Sequence, residues 1–257
     1  MSVFGAYSRY YDLLYASKDY VAETAYVKSL IELHSKSSKA LLDLGCGTGI
    51  HACEFSRSGF QVVGLDRSEE MLKDAIERQS HLPKEVRDSV QFLQGDIRDF
   101  KLEGKFDVAV GLFHVMSYLT SNSDLEAMLT CVKSHLMPGG VLLLDQWYGP
   151  AVLTDRPTLR VKELEDDDVK IVRIARPEID FNANCVDVKY QMMVVDKASR
   201  RADELSETHR MRYFFKPEIE LLLESCGFEL CSFVEWMSNR PADESTWNTV
   251  LVSKSKN

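Results

Sequence analysis

The sequence predicts an α/β protein: a doubly wound, mostly parallel sheet with an antiparallel β lobe inserted into it or laid over it. In the first half, short apolar runs alternate with amphipathic stretches. Runs that are apolar throughout are typical of parallel strands covered by helices on both faces. From about residue 156 onward, apolar and polar residues alternate with a period of two, which is typical of half-exposed antiparallel strands.

The elements of the first half follow in strand–helix order. Strands are predicted at 40–44, 61–66, 90–94, 106–112 and 141–145. Helices are predicted at 50–57, from the N-cap Ser68 to Gln79, and at 123–136. Glycine and proline residues end them, as they commonly end helices. The first 35 residues are predicted to be helical and are rich in tyrosine: Tyr7, Tyr10, Tyr11, Tyr15, Tyr20 and Tyr26.

The second half predicts a change of architecture. Half-exposed strands are predicted at 158–164, 169–176, 186–194 and 208–215, separated by charged turns at 165–168 and 197–204. Pro217 then opens a helix that runs to Ser225, because proline is favoured in the first helical turn. Further strands are predicted at 228–236 and 247–252.

Composition excludes several classes of function. The chain has 257 residues and a formal charge of −9, which disfavours a general role in binding nucleic acid. The aliphatic run from Val141 to Leu144 is far shorter than the ~20 residues of a membrane span. No secretory signal is visible, and the cysteines form no C-x-x-C pair, so we expect a cytoplasmic protein with reduced thiols. No His/Cys cluster has metal-ligand spacing, so we expect no metal.

The most informative stretch is the turn between the first strand and the first helix, which contains Gly45, Gly47 and Gly49. Glycines allow a tight turn in which a ligand can approach bare backbone N–H groups at a helix start. Asp66 and Asp96 end the next two strands, where they could accept hydrogen bonds from ribose hydroxyls and from a base amine. This pattern predicts a nucleotide-like ligand at the carboxyl ends of parallel strands.

The spacing and one further acid narrow the choice of nucleotide. The dinucleotide fingerprint is G-x-G-x-x-G and places a pyrophosphate at the helix N-terminus. Here the spacing is G-x-G-x-G, and Asp43 lies two residues before the turn. We expect a fixed anion there to disfavour phosphate and to favour an amino-acid ammonium. S-adenosylmethionine has this ammonium, a ribose and an adenine but no phosphate, and an NAD-dependent oxidoreductase remains the alternative.

The segment Leu42-Asp43-Leu44-Gly45-Cys46-Gly47-Thr48-Gly49 resembles motif I of the class I S-adenosylmethionine-dependent methyltransferases. Residues 64–72, 95–98, 106–110 and 136–140 resemble later motifs in the same order. The resemblance implies a Rossmann-like sheet of seven strands with an antiparallel last strand. The cofactor residues it implies, together with those from the turn, are Tyr11, Asp43, Gly45, Cys46, Gly47, Thr48, Gly49, Asp66, Arg67, Met71, Gly95, Asp96, Ile97 and Leu112.

The roles implied for these residues differ along the cofactor. The three glycines would contact the methionine portion, and Asp66 would bind the ribose hydroxyls. Arg67 and Met71 would line the adenine pocket. Asp96 would bind the adenine amine and Ile97 would pack on the ring, with Leu112 beside the methionine tail.

The flanking segments resemble amino-sugar N-methyltransferases that act on nucleotide-linked sugars. They are Tyr11-Asp12-Leu13-Leu14-Tyr15 with Lys18-Asp19-Tyr20, residues 145–150, and Glu207-Thr208-His209-Arg210. The resemblance implies a helical lid at 1–36, a cofactor domain formed by 37–155 and 216–257, and a lobe at 156–215 that covers the substrate and supports a homodimer. Tyr118 stands where this subfamily tends to have histidine.

The candidate catalytic residues are His114 and Tyr118, which follow the fourth strand, and Tyr11 in the lid. Trp147, Tyr148 and His209 are candidates for the substrate pocket, and aromatic rings suit cations and sugar faces. Local packing explains each of them as an alternative. We expect N-methylation of a small molecule, an amino sugar or sugar nucleotide. N-methylation of a glycine-like amine, O-methylation and a non-catalytic cofactor-binding protein remain open.

Overall fold

The computed structural model describes residues 10–256. The predicted lid therefore lies partly outside the described residues, and so does Tyr7. The described chain begins with the helices α1 (Tyr11–Leu14) and α2 (Tyr20–His34). Asp19 caps α2 by accepting a hydrogen bond from the backbone N–H of Ala22.

Alternating strands and helices follow. The strands are β1 (Ala40–Leu44), β2 (Gln61–Asp66), β3 (Val90–Gln94), β4 (Phe106–Gly111) and β5 (Leu136–Trp147). The helices are α3 (Ile50–Arg57), α4 (Glu69–Ser80), α5 (Lys84–Arg87) and α6 (Asn122–His135). Ser68 caps α4 as predicted, and Ser121 caps α6 in the same way.

The helix α7 (Gly149–Thr154) leads from this region into the lobe. The lobe contains β6 (Arg160–Glu165), β7 (Val169–Asp180), β8 (Cys185–Asp196) and β9 (Ala202–Arg212). In the described chain these strands form an antiparallel sheet of their own, in the order β6-β7-β8-β9. The lobe is therefore a separate sheet and contributes no strand to the parallel one.

The chain returns through α8 (Lys216–Ser225), β10 (Phe228–Glu235) and β11 (Asn248–Ser255) to complete the large sheet. Over residues 10–256 this sheet has seven strands in the order β10-β11-β5-β4-β1-β2-β3. The strands β1 to β5 are parallel, and β11 runs antiparallel to both β5 and β10. The predicted fold class and the antiparallel last strand are both confirmed.

The core lies on both faces of the large sheet. One cluster packs α2 and α3 on the sheet through residues such as Ile31 and Phe55. The other packs α6 and α8 on the opposite face through residues such as Leu129 and Ile219. Burial on both faces explains why the central strands are apolar throughout.

Several boundaries differ from the prediction because tertiary pairing extends the strands. β5 begins at Leu136, opposite Phe106, so the segment Pro138-Gly139-Gly140 lies in a strand rather than in a loop. β7 and β8 pair as far as Asp180 and Cys185, beyond the predicted ends. The helices α5 and α7 were not predicted. No helix between residues 10 and 256 has the length and apolar content of a membrane span.

Candidate active site

A cavity of about 630 Å³ lies at the carboxyl ends of the parallel strands. Its size falls within the ordinary range for small-molecule sites. The loops after β1, β2, β3 and β4 form one side, the lid residues Tyr11, Tyr15 and Tyr20 form another, and residues of β9 close it from the lobe. It therefore joins the three units that the sequence predicts.

The glycine turn lies against the end of β2. The N–H groups of Gly45 and Cys46 donate to the carbonyl oxygen of Leu65 at 2.7 and 3.0 Å, and the N–H of Gly47 donates to Asp66 at 2.8 Å. A Cβ at Gly47 would meet no atom of residues 10–256 within 4 Å, so this face of the turn is open to the cavity. Gly49 differs, because its Cβ would lie 2.5 Å from the Phe92 ring.

Gly49 is therefore not among the residues that line the cavity, although the resemblance implied a contact with the methionine portion. Its φ of +75° and its close approach to Phe92 fit α3 against the sheet. Glycine is required there for packing. Cys46 and Thr48, from the same turn, do line the cavity.

Asp66 is held by the backbone on both sides of the turn. One carboxylate oxygen accepts from the N–H of Gly47 and the other accepts from the N–H of Ser68, each at 2.8 Å. Burial raises the pKa of Asp66, and the N–H groups of Ser68 and Gly47 oppose that rise. Arg67 and Met71 line the cavity beside it. The carboxylate is thus fixed in place, with further lone pairs for ligand hydroxyls.

Asp43 lies behind the turn and does not line the cavity. Its carboxyl group is 2% exposed, and its Oδ2 has no hydrogen-bond partner within residues 10–256. Burial, together with the neighbouring Asp66, raises the pKa of Asp43 to about 8. The sequence predicted a fixed anion here, whereas this carboxyl group is largely protonated at neutral pH until a cation lies near it.

Asp96 follows β3 and lines the cavity with Gly95 and Ile97. The Arg98 guanidinium binds its carboxylate through two nitrogens, at 2.9 and 2.6 Å, and also contacts Asp124 at 2.7 Å. The hydrogen bond from Arg98 lowers the pKa of Asp96. Asp96 is therefore an anion that is already paired, and an amine ligand would share it with Arg98.

The segment after β4 has a strained backbone. Phe113 and His114 have φ values of +65° and +64°, a region that non-glycine residues rarely adopt. Two contacts with Asp145, near the end of β5, hold His114 in this conformation. Oδ1 of Asp145 accepts a hydrogen bond from the His114 N–H at 2.9 Å, and its Oδ2 lies 3.1 Å from His114 Nδ1. His114 is thus held in the cavity wall, near Leu112 and the ring of Trp147.

The lid is attached to the glycine turn through Asp12. The Thr48 hydroxyl donates to Asp12 at 2.7 Å, and Arg78 of α4 forms an ion pair with the same carboxylate. Tyr11 and Tyr15 lie over the cavity, with ring centroids 6.3 and 4.8 Å from that of Phe113. The described part of the N-terminal segment therefore covers the tips of the strands.

The lobe contributes a hydrogen-bonded chain. Tyr118 ends the short 3₁₀ turn that follows His114, and its hydroxyl lies 2.8 Å from Nδ1 of His209 on β9. Nε2 of His209 lies 3.3 Å from Glu207. Burial lowers the pKa of His209 and raises that of Tyr118. Tyr118, His209 and Trp147 line the cavity as expected.

Tyr148 does not line the cavity. Its ring packs against Phe233 of β10 with a centroid distance of 5.4 Å, and its backbone bridges to Phe214. Side chains of neighbouring residues in a strand point to opposite faces of a sheet, so Trp147 and Tyr148 diverge. Of the two aromatic residues predicted to form a substrate wall, Trp147 therefore lines the cavity and Tyr148 does not.

Sequence reasoning missed several residues that the fold brings to the cavity. They are Tyr15, Tyr20, Arg98, Phe113, Asp124, Arg160, Tyr190, Thr208 and Arg210. Arg160 and Tyr190 of the lobe belong to no motif, and Thr208 and Arg210 lie in the segment 207–210 from which only His209 was taken as a candidate; the docking of the lobe onto the parallel sheet brings all four here. Asp145 had a usable signal, since an acid in an otherwise apolar strand needs a polar partner. Within residues 10–256, no three His, Cys, Asp or Glu side chains are arranged to hold a metal ion.

Comparison with known proteins finds similarity to methyltransferases. A methyltransferase domain matches residues 41–140. The chain is 29% identical over 234 residues to a dTDP-3-amino-3,4,6-trideoxy-α-D-glucopyranose N,N-dimethyltransferase of Streptomyces venezuelae, covering 90% of this chain and 92% of that protein. It is 28% identical to a dTDP-3-amino-3,6-dideoxy-α-D-glucopyranose N,N-dimethyltransferase of Streptomyces fradiae, covering 93% of this chain and 88% of the relative.

Solved structures agree over the full length of the chain. The crystal structure of Streptomyces venezuelae DesVI matches with a TM-score of 0.79 and 25% identity, covering 100% of both chains. S-adenosylmethionine-bound CalS10, an amino pentose methyltransferase from Micromonospora echinaspora, matches with a TM-score of 0.75 and 26% identity, covering 100% of this chain and 99% of that chain. The coverage includes the N-terminal segment and the antiparallel sheet as well as the parallel sheet.

Proposed function

Since this chain is an S-adenosylmethionine-dependent methyltransferase, we propose that its acceptor is the amino group of a nucleotide-linked amino sugar. The alternative of an NAD-dependent oxidoreductase falls with this assignment. The observation on which the proposal depends is the extension of the cavity past the glycine turn to the lobe, where aromatic and cationic side chains line it.

The described residues fit the cofactor. Gly47 presents bare backbone, and Asp66 is a fixed acceptor for ribose hydroxyls. The carboxyl group of Asp43 is buried near the turn, and its Oδ2, which has no partner among residues 10–256, suits an ammonium group. When bound, S-adenosylmethionine supplies an electrophilic methyl group on a sulfonium. We assign Ile97 and Met71 to the adenine pocket and Asp96 to its amine, with Arg67, Gly95, Cys46, Thr48 and Leu112 completing the contacts.

The protein then has to align the acceptor nitrogen with the methyl group. Correct alignment alone can supply several kcal/mol of the barrier reduction. We propose that Tyr11 closes over the cofactor, that His114 is held against the acceptor by Asp145, and that Trp147 forms a face for the sugar ring. The aromatic wall also excludes water from the reacting centre.

Positive charge at the lobe side of the cavity suits an anionic sugar nucleotide. Arg160, at the exposed start of β6, and Arg210 of β9 both line the cavity. Arg210 is paired with Asp180 and Asp187, each at 2.7 Å, so Arg160 is the cation more readily offered to a diphosphate. A diphosphate contact would distinguish a nucleotide-linked sugar from a free amine.

The proposal is tested by incubating the protein with S-adenosylmethionine and dTDP-linked aminodeoxy sugars and following the products by mass spectrometry. We expect addition of one and then two methyl groups to the amino compound, and none to the matching sugar with a hydroxyl in place of the amine. Methylation of glycine alone, or of the hydroxyl compound alone, would instead support one of the other acceptors that the sequence left open.

Arg160→Ala tests the diphosphate contact. We expect KM for the nucleotide-linked amino sugar to rise by about tenfold, because a hydrogen bond to a charged group contributes ~1.5–3 kcal/mol. Turnover of the same amino sugar without its nucleotide should not change. Arg176→Ala, on the exposed outer face of the lobe, is the matched control, and an equal effect of both variants would contradict a specific contact.

We also propose that residues 1–36 act as a lid, that 156–215 act as a substrate lobe on the cofactor domain (37–155 and 216–257), and that the enzyme works in the cytoplasm as a homodimer. Exposed Val161 and Met193 on the outer face of the lobe support an association between copies. Sedimentation velocity tests this. A single species of monomer mass at micromolar concentration would contradict the dimer.

A further inference from the structure

Tyr118, His209 and Glu207 form a hydrogen-bonded cluster at the lobe side of the cavity. Tyr118 and His209 line the cavity. Glu207 lies two residues before His209 in β9, so the two side chains are on the same face of the strand. Tyr118 and Glu207 contact different ring nitrogens of His209, and the Glu207 side chain is 15% exposed. Neither the glycine turn nor the strand-end acids belong to this cluster.

The distances select one arrangement of protons. A glutamate carboxylate can only accept hydrogen bonds, so the imidazole proton of neutral His209 belongs on Nε2, 3.3 Å from Glu207. Nδ1 is then an acceptor, and the Tyr118 hydroxyl 2.8 Å away donates to it. The hydroxyl oxygen retains lone-pair capacity for a donor in the cavity, such as a substrate ammonium.

The surroundings keep His209 neutral and ready to accept a proton. His209 is 2% exposed, and the ring of Tyr190 packs edge-on against it at 4.9 Å. Arg173 lies over the Tyr190 ring at 5.0 Å, and its positive charge disfavours an imidazolium, while Glu207 favours one. Tyr15 also faces this cluster. A base that is neutral at rest and stabilised when charged suits proton transfer.

We propose that Tyr118, His209 and Glu207 form a proton relay that deprotonates the acceptor amine before each methyl transfer. An N–H bond of the substrate ammonium breaks as an O–H bond forms on Tyr118. The original hydroxyl proton passes to Nδ1 of His209, giving an imidazolium paired with Glu207. The amine lone pair is then free to attack the methyl carbon, and the electrons of the C–S bond remain on sulfur. Once the product has left, the Nδ1 proton returns to Tyr118 as the hydroxyl proton passes to water in the cavity, which restores neutral His209 with its proton on Nε2.

This proposal rests on the proposed amine acceptor and adds a residue role to it. Tyr118 and His209 would be catalytic residues, and Glu207 a positioning residue that selects the tautomer of His209. Two successive methylations would use the relay twice, because the monomethylated product is again an ammonium. A hydroxyl acceptor would need a much stronger base, so the relay also favours amines over hydroxyls.

The kinetic test compares His209→Asn with the unaltered enzyme. Asparagine can still accept the Tyr118 hydrogen bond but takes up no proton. At pH 7 we expect kcat to fall by about 100-fold, within the usual range for general acid–base catalysis. KM for the acceptor should stay within a few-fold. The loss should shrink as pH rises, because the amine then sheds its proton to solvent.

Tyr118→Phe should behave like His209→Asn, and Glu207→Gln should show a smaller loss with the same pH dependence. Tyr213→Phe is the matched control, since Tyr213 is a buried lobe tyrosine outside the cavity wall. If kcat of His209→Asn is reduced equally at all pH values, or is unchanged, the relay is wrong and the cluster only supports the fold.

A second measurement needs neither a variant nor a substrate. Nitrogen-15 NMR of labelled histidine in the unaltered protein reports which ring nitrogen of His209 carries the proton. The relay requires the proton on Nε2 at pH 7, and a proton on Nδ1 would overturn it. If the enzyme methylates no amino sugar at all, the proposed acceptor fails, while this tautomer still decides whether the relay can exist.

Discussion

At the scale of single residues, one acid at a strand end shapes the turn beside it. Asp66 accepts hydrogen bonds from the N–H groups of Gly47 and Ser68 at 2.8 Å each, so it shapes the turn where we propose that the cofactor binds. Asp107 makes a similar double contact, with the N–H groups of Lys39 and Ala40, at the opposite end of β1. These two acids allow a matched comparison.

Asp66→Ala should weaken cofactor binding by ~1.5–3 kcal/mol, the usual contribution of hydrogen bonds to a charged group. S-adenosylhomocysteine binding measured by calorimetry checks this. Asp107→Ala should lower the melting temperature and leave the dissociation constant unchanged. Equal dissociation constants for Asp66→Ala and the unaltered protein would contradict the ribose assignment.

Alanine variants of Gly47 and Gly49 should differ in their effects on cofactor binding and on the free energy of unfolding. Each has a positive φ, so alanine at either position costs roughly 1–2 kcal/mol of backbone strain. Gly49→Ala also forces a Cβ to within 2.5 Å of Phe92, so we expect the larger loss of unfolding free energy there. Gly47→Ala points a methyl group at the open cavity and should mainly weaken cofactor binding. Chemical denaturation and calorimetry measure the two effects, and a reversed order would contradict the packing assignment.

At the scale of elements, the site depends on how separate segments are held together. Asp12 of helix α1 contacts Thr48 of the glycine turn and Arg78 of α4. Lys18 lies over the Phe113 ring at 4.7 Å and pairs with Glu23, which also binds His51 at 2.9 Å. Burial acts to raise the pKa of Glu23, but the hydrogen bonds from His51 and Lys18 lower it overall. The N-terminal segment from Asp12 to Glu23 thus contacts the loop after β4 through Phe113 and α3 through His51.

Asp12→Ala should release the lid. Because the Asp12–Arg78 pair is partly exposed, solvent screening reduces its contribution, and we expect only a few-fold rise in the cofactor dissociation constant. Proteolysis between α1 and α2 should become faster. Asp19→Ala, which removes the cap of α2 without touching the glycine turn, should destabilise the protein by ~1 kcal/mol and leave binding unchanged. If Asp12→Ala is cleaved between α1 and α2 no faster than the unaltered protein, Asp12 does not hold this segment closed.

At the scale of the whole molecule, Asp43 links stability to pH. Its pKa lies near 4 in an unfolded chain and is raised to about 8 in the fold, so the native state holds the extra proton between these values. The free energy of unfolding should therefore decrease as pH rises from about 4 to about 8. Asp43→Asn should flatten this dependence, as measured by denaturation at several pH values. If the free energy of unfolding of Asp43→Asn depends on pH as steeply as that of the unaltered protein, a group other than Asp43 is responsible for the dependence.

How much of this was predictable differs between the parallel sheet and the lobe. The strands β1 to β4, their helices and the ends that bear Asp66 and Asp96 were predicted nearly to the residue. The strand ends at Leu136, Asp180 and Cys185 were not, because pairing with a neighbouring strand extends them and local composition does not record it. The packing of Tyr148 against Phe233 of β10, away from the cavity, likewise depends on a contact between distant parts of the chain.

The sequence by itself determined the fold class and the cofactor, because the glycine turn and the acids Asp66 and Asp96 each lie at or directly after the end of a strand that local composition predicts. Only the tertiary structure decided that Asp43 is buried and largely protonated, that Arg98 forms an ion pair with Asp96, and that Tyr118 is hydrogen-bonded to His209. The residues of that last pair are separated by 91 positions in the chain. Contacts over such distances depend on how one sheet docks on another, and burial, which sets the pKa values, follows from the same packing.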